Sequence, residues 1–261
     1  MSKKNSNVLS LKNILIKDTK TANNYYNFKK KLEKNISKKQ SFVVAVSGGA
    51  DSLSLASFSH LYSKEKKIKI FYALVDHNLR KGSKSEANLV KKLFKKQKIL
   101  LNILTNKEKI KKNIQSKARD VRYKLLAKFC RKKELKYILT GHHSNDQVET
   151  FLIRLSRGSG VQGLSSMHEK TKITRNIKLI RPFLEIKKED LKNVAKKVFG
   201  KIIKDPSNTN KKYLRTKIRA LTKEMEKSGI HHDQIIKSIK NLASSRDTLN
   251  NYVTTSIKKC V

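Results

Sequence analysis

The sequence predicts an α/β fold, a doubly wound parallel sheet with a small helical appendage at its C-terminal end. Three observations support this prediction. Short apolar runs alternate with stretches of helical spacing, and both faces of each run are apolar, as in strands covered by helices on both sides. The alternation stops beyond Gly200, where Lys-rich helical patterns follow. The chain therefore divides into a sheet domain and a helical segment.

Four buried strands are predicted in order along the chain, each followed by polar or Gly-containing residues and separated from the next by helices. They cover residues 42–46, 68–75, 99–104 and 137–139. In such sheets ligands bind outside the carboxyl ends of the strands, where the strand order reverses. The segments that follow the first, second and fourth strands are therefore expected to converge; these are residues 47–52, 76–80 and 140–150.

Three regions are predicted from the changes in pattern. Residues 1–40 read as an N-terminal leader with one short helix, residues 41–204 as the sheet domain, and residues 205–261 as a helical C-terminal segment. Two Lys-rich helices, at about 211–228 and 232–258, are expected in the last region.

The charge is strongly positive, with 62 Lys and Arg against 20 Asp and Glu and a net charge of +42. Such a field gathers polyanions. Only 11 of the basic residues are Arg, so compositional drift toward Lys explains the charge equally well. Composition alone does not separate DNA, RNA and anionic lipid as partners.

Several classes of protein are excluded by composition. No apolar run approaches the roughly 20 residues that span a bilayer, so no membrane location is expected. The two cysteines, Cys130 and Cys260, lie far apart and form no CxxC pair. This spacing argues against a disulfide scaffold, a zinc ribbon and an iron–sulfur site. The expected compartment is the cytoplasm.

The segment between the first strand and the following helix has the composition of a phosphate-binding loop. Two glycines allow backbone N–H groups to approach an anion, and the helix N-terminus adds a partial positive charge. The segment is neither a Walker A loop nor GxGxxG. The simpler alternative is a Gly-Gly turn with a capped helix. The residues are Ser47, Gly48, Gly49, Ala50, Asp51 and Ser52.

This SGGxDS arrangement resembles the loop of the pyrophosphate-loop ATPases, which activate a carbonyl or carboxylate as an adenylate. The resemblance implies an adenine nucleotide alpha-hydrolase-like, Rossmann-like sheet. It also implies that residues 47–52 bind ATP and its outgoing pyrophosphate, and that Asp51 helps to bind Mg²⁺.

Later segments resemble one branch of that group, the tRNA(Ile)-lysidine synthetases. The resemblance runs in order over residues 42–219. Its motifs are Asp76–Arg80, Ile114–Tyr123, Gly141–Leu152 with Arg154–Leu164, Ile180–Leu184, and Asp205–Asn208 leading to Arg215 and Arg219. Longer members append further C-terminal domains, so this chain is either a short form or a piece of a longer protein.

The resemblance implies a two-step ligation on the CAU-anticodon tRNA(Ile). ATP adenylates C2 of cytidine 34 at the wobble position, and free L-lysine then displaces AMP. Asp146 is implied as the main catalytic carboxylate, and Asp51 and Asp146 as the ligands of Mg²⁺.

Asp146 and Glu149 share one face at the start of a helix, where a carboxylate pair can hold either Mg²⁺ or an ammonium group. The resemblance implies that Glu149 forms the lysine site together with Arg119 and Arg122, and arginines suit the carboxylate of an amino acid. Contacts to tRNA or phosphate are expected from Arg154, Arg157, Arg215 and Arg219.

One departure from the family pattern concerns Asn145, since many members carry two adjacent aspartates where this chain has Asn145-Asp146. We expect only Asp146 to be indispensable. The neighbouring His142-His143 pair lacks a third ligand at metal spacing, so we interpret it as loop histidines near a nucleotide rather than a zinc site.

Two other functions remain alternatives. A sulfur-transferring tRNA thiolase on the same fold would need reactive or cluster-binding cysteines, and the placing of Cys130 and Cys260 disfavours it. A non-catalytic, basic RNA-binding module would not need the intact loop at 47–52 together with Asp146 and Glu149. The sequence leaves the oligomeric state open, a homodimer included.

Overall fold

The computed structural model describes residues 11–80, 82–108, 110, 112–203 and 214–260. The described residues form two compact units. The first holds the chain up to Gly141 together with residues 169–203, and the second holds residues 142–168 and 214–260. The predicted boundary at 204/205 and the Asp205–Asn208 motif lie outside the described residues.

The first unit contains a six-stranded sheet in the order β3-β2-β1-β4-β6-β5. The chain adds β2 and β3 on one side of β1, then returns to add β4 on the other side. All pairings are parallel except that of β5 with β6. The strands are β1 (Phe42–Val46), β2 (Ile70–Asp76), β3 (Leu101–Thr105), β4 (Tyr137–Leu139), β5 (Lys170–Lys172) and β6 (Lys178–Ile180). The predicted doubly wound sheet is confirmed, and its order reverses between β1 and β4.

Helices connect these strands and build the second unit. Residues 11–16 are helical and are called α1. The others are α2 (Thr19–Asn35), α3 (Ala50–Lys66), α4 (Ser83–Lys96), α5 (Ile114–Lys132), α6 (Ser144–Leu155), α7 (Val161–Leu164), α8 (Lys188–Phe199), α9 (Leu214–Lys227) and α10 (His232–Cys260). Helices α6, α7, α9 and α10 belong to the second unit.

The sheet is covered on both faces, because alternate residues of β1 point to different cores. Val44 belongs to a large core with the buried residues of α2, α3, α4 and α8. Val43 belongs to a second core with Leu126 and Ala127 of α5. This burial on both sides explains why the strands read as continuous apolar runs.

An aromatic cluster holds α2 against α3 in the larger core. Phe28 is fully buried, and its ring centroid lies 5.6 Å from that of Phe58 and 5.8 Å from that of Phe183. Tyr25 and Tyr62 complete the cluster around Phe28. Helix α2 is therefore part of the folded core of the first unit.

Replacing Phe28 with Ala should destabilise the first unit by about 3–5 kcal/mol, because it removes a buried ring and leaves a cavity. Urea unfolding measures the change. The matched control is Tyr26→Ala on the same helix, where the side chain is 65% exposed and the expected change is within about 0.5 kcal/mol. Equal losses in the two variants would contradict this account of the core.

His60 on α3 gives the first unit a pH dependence. Burial, aided by the charge of Lys64, lowers the pKa of His60 from 6.5 to about 4. Between these values the unfolded chain binds a proton that the folded protein does not. Stability should therefore fall as the pH is lowered from 6.5 towards 4, by at most about 1.4 kcal/mol per pH unit from this residue. In His60→Gln, unfolding measured at several pH values should show a weaker dependence in this window; an unchanged dependence would contradict the assignment.

The second unit has its own small core. Val148 and Leu152 of α6 pack with Ile218 of α9 and with Ile235 and Ile239 of α10. Within the ranges described, every helix is too short or too polar to cross a membrane.

Candidate active site

The turn between β1 and α3 is organised by its own serines. The backbone N–H of Ser47 donates to Oγ of Ser52 (3.1 Å), and that hydroxyl lies 3.0 Å from the carbonyl oxygen of Gly49, to which it donates. Gly49 is the N-cap of α3 and offers no capping side chain. The helix therefore begins with N–H groups directed at the loop, as a phosphate site requires.

Gly48 is required by both conformation and space. Its φ is +85°, and a Cβ atom there would lie 2.7 Å from Cγ2 of Val90. The carbonyl oxygen of Gly48 accepts a hydrogen bond from the N–H of Ile203 (3.0 Å). Any L side chain at this position would strain the turn and displace α4.

The ends of β1 and β4 meet at Gly141. A Cβ atom on Gly141 would lie 2.8 Å from the carbonyl oxygen of Asp51 and 3.2 Å from the backbone nitrogen of Ser52. This contact confirms the expected convergence for residues 47–52 and Gly141 of the 140–150 segment. Asp146 follows Gly141 by five residues and belongs to the second unit.

The ends of β2 and β3 are tied together by a buried asparagine. The backbone N–H of Asn106 donates to the carbonyl oxygen of Asp76 (2.8 Å), and its side-chain amide donates to that of His77 (3.3 Å). Asp76 in turn accepts from the N–H of Asn78 through Oδ1 (3.0 Å). Asn106 was not predicted to have a role, although a lone Asn two residues after the predicted strand at 99–104 was the available signal.

Asp146 lies in the first turn of α6 and is largely buried. Its Oδ2 accepts from the backbone N–H of His143 (3.1 Å) and lies 3.5 Å from Nε2 of the same residue. Burial opposes ionisation, but the charges of His143, His142 and Arg215, with the His143 N–H, hold the pKa of Asp146 below its usual range. The carboxylate is therefore ionised at neutral pH.

Glu149, one turn further along α6, is paired with Arg219 of α9. The guanidinium donates from Nε to Oε1 (2.5 Å) and from Nη2 to Oε2 (3.2 Å). The Glu149 side chain is 5% exposed and the Arg219 side chain 32%. The structure thus brings together residues to which the sequence gave three different roles: Asp146, Glu149, and the two arginines Arg215 and Arg219.

Arg154 supports the glycine-rich segment after α6. Its Nη1 donates to the carbonyl oxygens of Gly163 (2.7 Å) and Ser166 (2.9 Å). Gln147 holds the same segment by exchanging hydrogen bonds with the backbone of Met167. Arg157 is exposed, so its guanidinium faces solvent.

Arg119 and Arg122 lie on α5 in the first unit. Arg119 is exposed, and its Cζ lies 5.1 Å from the ring centroid of Tyr123. Arg122 is half-buried.

A residue of the second unit that the sequence analysis missed is Arg246 of α10. It is 6% exposed, and its Nη1 donates to Oγ of Ser165 (2.7 Å) and lies 3.1 Å from Nε2 of His168. A lone arginine in a nearly uncharged stretch of helix was the available signal.

Comparison with known proteins identifies the fold and its nucleotide. The ATP-binding family described as PP-loop domain matches residues 19–225. The chain belongs to the PP-loop family. The match includes the loop at 47–52. It therefore favours an ATP-binding loop over the simpler alternative of a Gly-Gly turn with a capped helix.

Curated relatives of this PP-loop protein are named tRNA(Ile)-lysidine synthase. The protein from Wolbachia pipientis wMel is 40% identical over 84% of this chain and 51% of its own length. That from Orientia tsutsugamushi (strain Boryong) is 38% identical over 80% of this chain and 49% of its own. The chain therefore spans about half the length of these relatives.

A solved structure shares the fold. The U34-tRNA thiolase NcsA from Methanococcus maripaludis, described with its [4Fe-4S] cluster, superposes with a TM-score of 0.71 at 18% identity. The match covers 85% of this chain and 78% of the thiolase. At this identity the likeness shows the fold alone.

Proposed function

We propose that this PP-loop protein catalyses the ATP-dependent ligation of lysine to C2 of cytidine 34 in the CAU-anticodon tRNA(Ile). The observation that carries the proposal is the similarity, over 84% of the chain, to a protein named tRNA(Ile)-lysidine synthase. The ionised acid of α6 supports it, because a chain of net charge +42 must still hold a cationic amino acid.

In the proposed first step, the C2 carbonyl oxygen of cytidine attacks the α-phosphorus of ATP. A new P–O bond forms, the bond to the β-phosphate oxygen breaks, and pyrophosphate leaves. The backbone N–H groups at the start of α3 would hold the outgoing pyrophosphate, and the hydroxyls of Ser47 and Ser52 keep the turn in shape for this.

In the proposed second step, the ε-amine of lysine attacks C2 of the adenylated base. A C–N bond forms, the C2–O bond breaks, AMP leaves, and the nitrogen loses a proton. Asp146 is the carboxylate that we propose to orient the amine and to receive this proton, since it is ionised and held in one geometry by His143.

Asp51 and Asp146 are the proposed ligands of Mg²⁺, which when bound neutralises phosphate charge. Carboxylate oxygens are suitable donors, and protein sites for Mg²⁺ commonly use one or two carboxylates with substrate phosphates. Among the described residues, no group of three or more His, Cys, Asp or Glu forms a complete cage. Such a cage is not needed for phosphate-bound Mg²⁺.

Arg119 and Arg122 remain the proposed partners of the lysine carboxylate, and Glu149 a proposed part of the same site. Of the four arginines proposed to contact tRNA or phosphate, Arg157 is the one whose side chain is exposed. Arg154, by contrast, already donates to two carbonyl oxygens. The cytoplasmic location and the homodimer also remain proposals.

A thiolase reaction on the same fold is disfavoured by the state of Cys130. Burial raises the pKa of this thiol to about 12, so it is not a thiolate at neutral pH.

The proposal is tested with the folded protein, ATP, Mg²⁺, labelled lysine and a CAU-anticodon tRNA(Ile) transcript. We expect label in the RNA that depends on ATP. A transcript with uridine in place of cytidine 34 is the matched control and should remain unlabelled. No label in the CAU transcript would contradict the proposed function.

A further inference from the structure

Helix α9 has little apolar packing to fix its position. Of its 14 residues only Ile218 is buried, and it contacts the core formed with Val148 and Leu152 of α6. Leu214 and Leu221, on either side of Ile218, are 44% and 48% exposed. Met225 of α9 is partly buried against the same core. Apolar contacts can attract a helix to its neighbour, but they are not directional and do not by themselves determine how the helix is rotated.

The Glu149–Arg219 pair is a directional contact between α9 and α6. Both carboxylate oxygens accept from the guanidinium, through Nε and Nη2, so the plane of the fork is fixed relative to α6. The carboxylate is buried. Replacing Arg219 would take away the cation that is paired with the buried Glu149 carboxylate, and a buried charge that loses its partner is costly.

Arg215 lies one turn before Arg219 on the same side of α9. Its charge acts on Asp146, which lies three residues before Glu149 on α6. Two acids of α6 thus interact with two arginines of α9: Glu149 through its ion pair with Arg219, and Asp146 through the charge of Arg215.

We infer that Glu149 and Arg219 form a positioning pair that fixes the rotation of α9 on α6 and thereby the place of Arg215 relative to Asp146. The pair acts through Arg215 and not by touching the substrate. The activity part of this inference rests on the proposed function, whereas the structural part does not. It competes with two roles proposed above: that of Glu149 as an acceptor of the lysine ammonium group, and that of Arg219 as a contact to tRNA or phosphate.

The structural part is tested by hydrogen exchange of residues 214–227 without any substrate. Arg219→Met and Glu149→Gln should each speed exchange in α9 at least about ten-fold, and Arg219→Lys should have a smaller effect because it keeps the charge but loses the fork. Lys223→Met, an exposed cation on the same helix, is the matched control and should exchange like the wild type. Unchanged exchange in Arg219→Met would overturn the inference.

The activity part uses pyrophosphate release from ATP and the CAU transcript in the absence of lysine. A positioning pair should affect this lysine-independent step, so Arg219→Met and Glu149→Gln should slow it about as much as Arg215→Met does. The KM for lysine should change less than about three-fold. If Glu149→Gln instead raises that KM ten-fold or more and leaves pyrophosphate release unchanged, Glu149 is an ammonium acceptor and the inference is wrong.

The charge-exchanged variant Glu149→Arg with Arg219→Glu distinguishes loss of the ion pair from a general loss of folding. It should restore part of the α9 protection that Arg219→Met loses, because an ion pair can form again; no recovery beyond the single variants would count against the pair. A wild-type protein that forms no lysidine would contradict the proposed function, while its hydrogen exchange would still test the pair.

Discussion

Asp146→Asn should lower lysine transfer to the CAU transcript by about 10²–10⁴-fold, the range expected for loss of a group that moves a proton. The substitution isolates the charge, because an amide oxygen can still accept from the N–H of His143 and so keep the start of α6. Single-turnover incorporation of labelled lysine measures the effect, and circular dichroism confirms that the helix content is unchanged.

The matched control is Asn145→Asp, which installs the second aspartate that many family members carry. We expect this variant to keep activity within a few-fold of the wild type. If Asn145→Asp abolishes transfer and Asp146→Asn does not, the role given to Asp146 is wrong.

Gly141→Ala should weaken ATP binding, because the added methyl group would displace the backbone of the loop at 47–52. The added Cβ would lie 2.8 Å from the carbonyl oxygen of Asp51, and backbone atoms cannot move aside as a flexible side chain can. Overpacking of this kind costs about 1–3 kcal/mol, or about 5- to 150-fold if the loss falls on the ATP-binding conformation. Equilibrium dialysis with a non-hydrolysable ATP analogue measures the affinity.

Gly160→Ala is the control for a glycine change, since a Cβ atom at that position would meet nothing within 4 Å. Its affinity for the analogue should equal that of the wild type. Wild-type affinity in Gly141→Ala would show that the contact between the ends of β1 and β4 does not shape the nucleotide site.

The main sheet could be predicted from sequence because its strands are apolar on both faces. The predicted strands at 42–46 and 137–139 are confirmed without change, and those at 68–75 and 99–104 are confirmed within two residues at their ends. Strands β5 and β6 were missed. Each has only three residues, and β5 is Lys-Thr-Lys, so an edge hairpin of this kind gives no apolar run to detect.

The parts of the site that could be predicted are those formed by residues close together in the sequence. The loop at 47–52 depends on neighbouring residues and on the strand before it, and its geometry follows from its composition. The pairing of Glu149 with Arg219 joins positions 70 residues apart. Only the packing of α9 on α6 creates this pair, so spacing along the chain could not reveal it.

The identity of the nucleoside at position 34 tests the central claim most directly. The CAU transcript is incubated with the protein, ATP, Mg²⁺ and lysine, then digested to nucleosides and analysed by mass spectrometry. The account predicts that cytidine at position 34 is converted to a species heavier by one lysine less one water. Unmodified cytidine at that position, from protein that binds ATP and the transcript, would contradict the account.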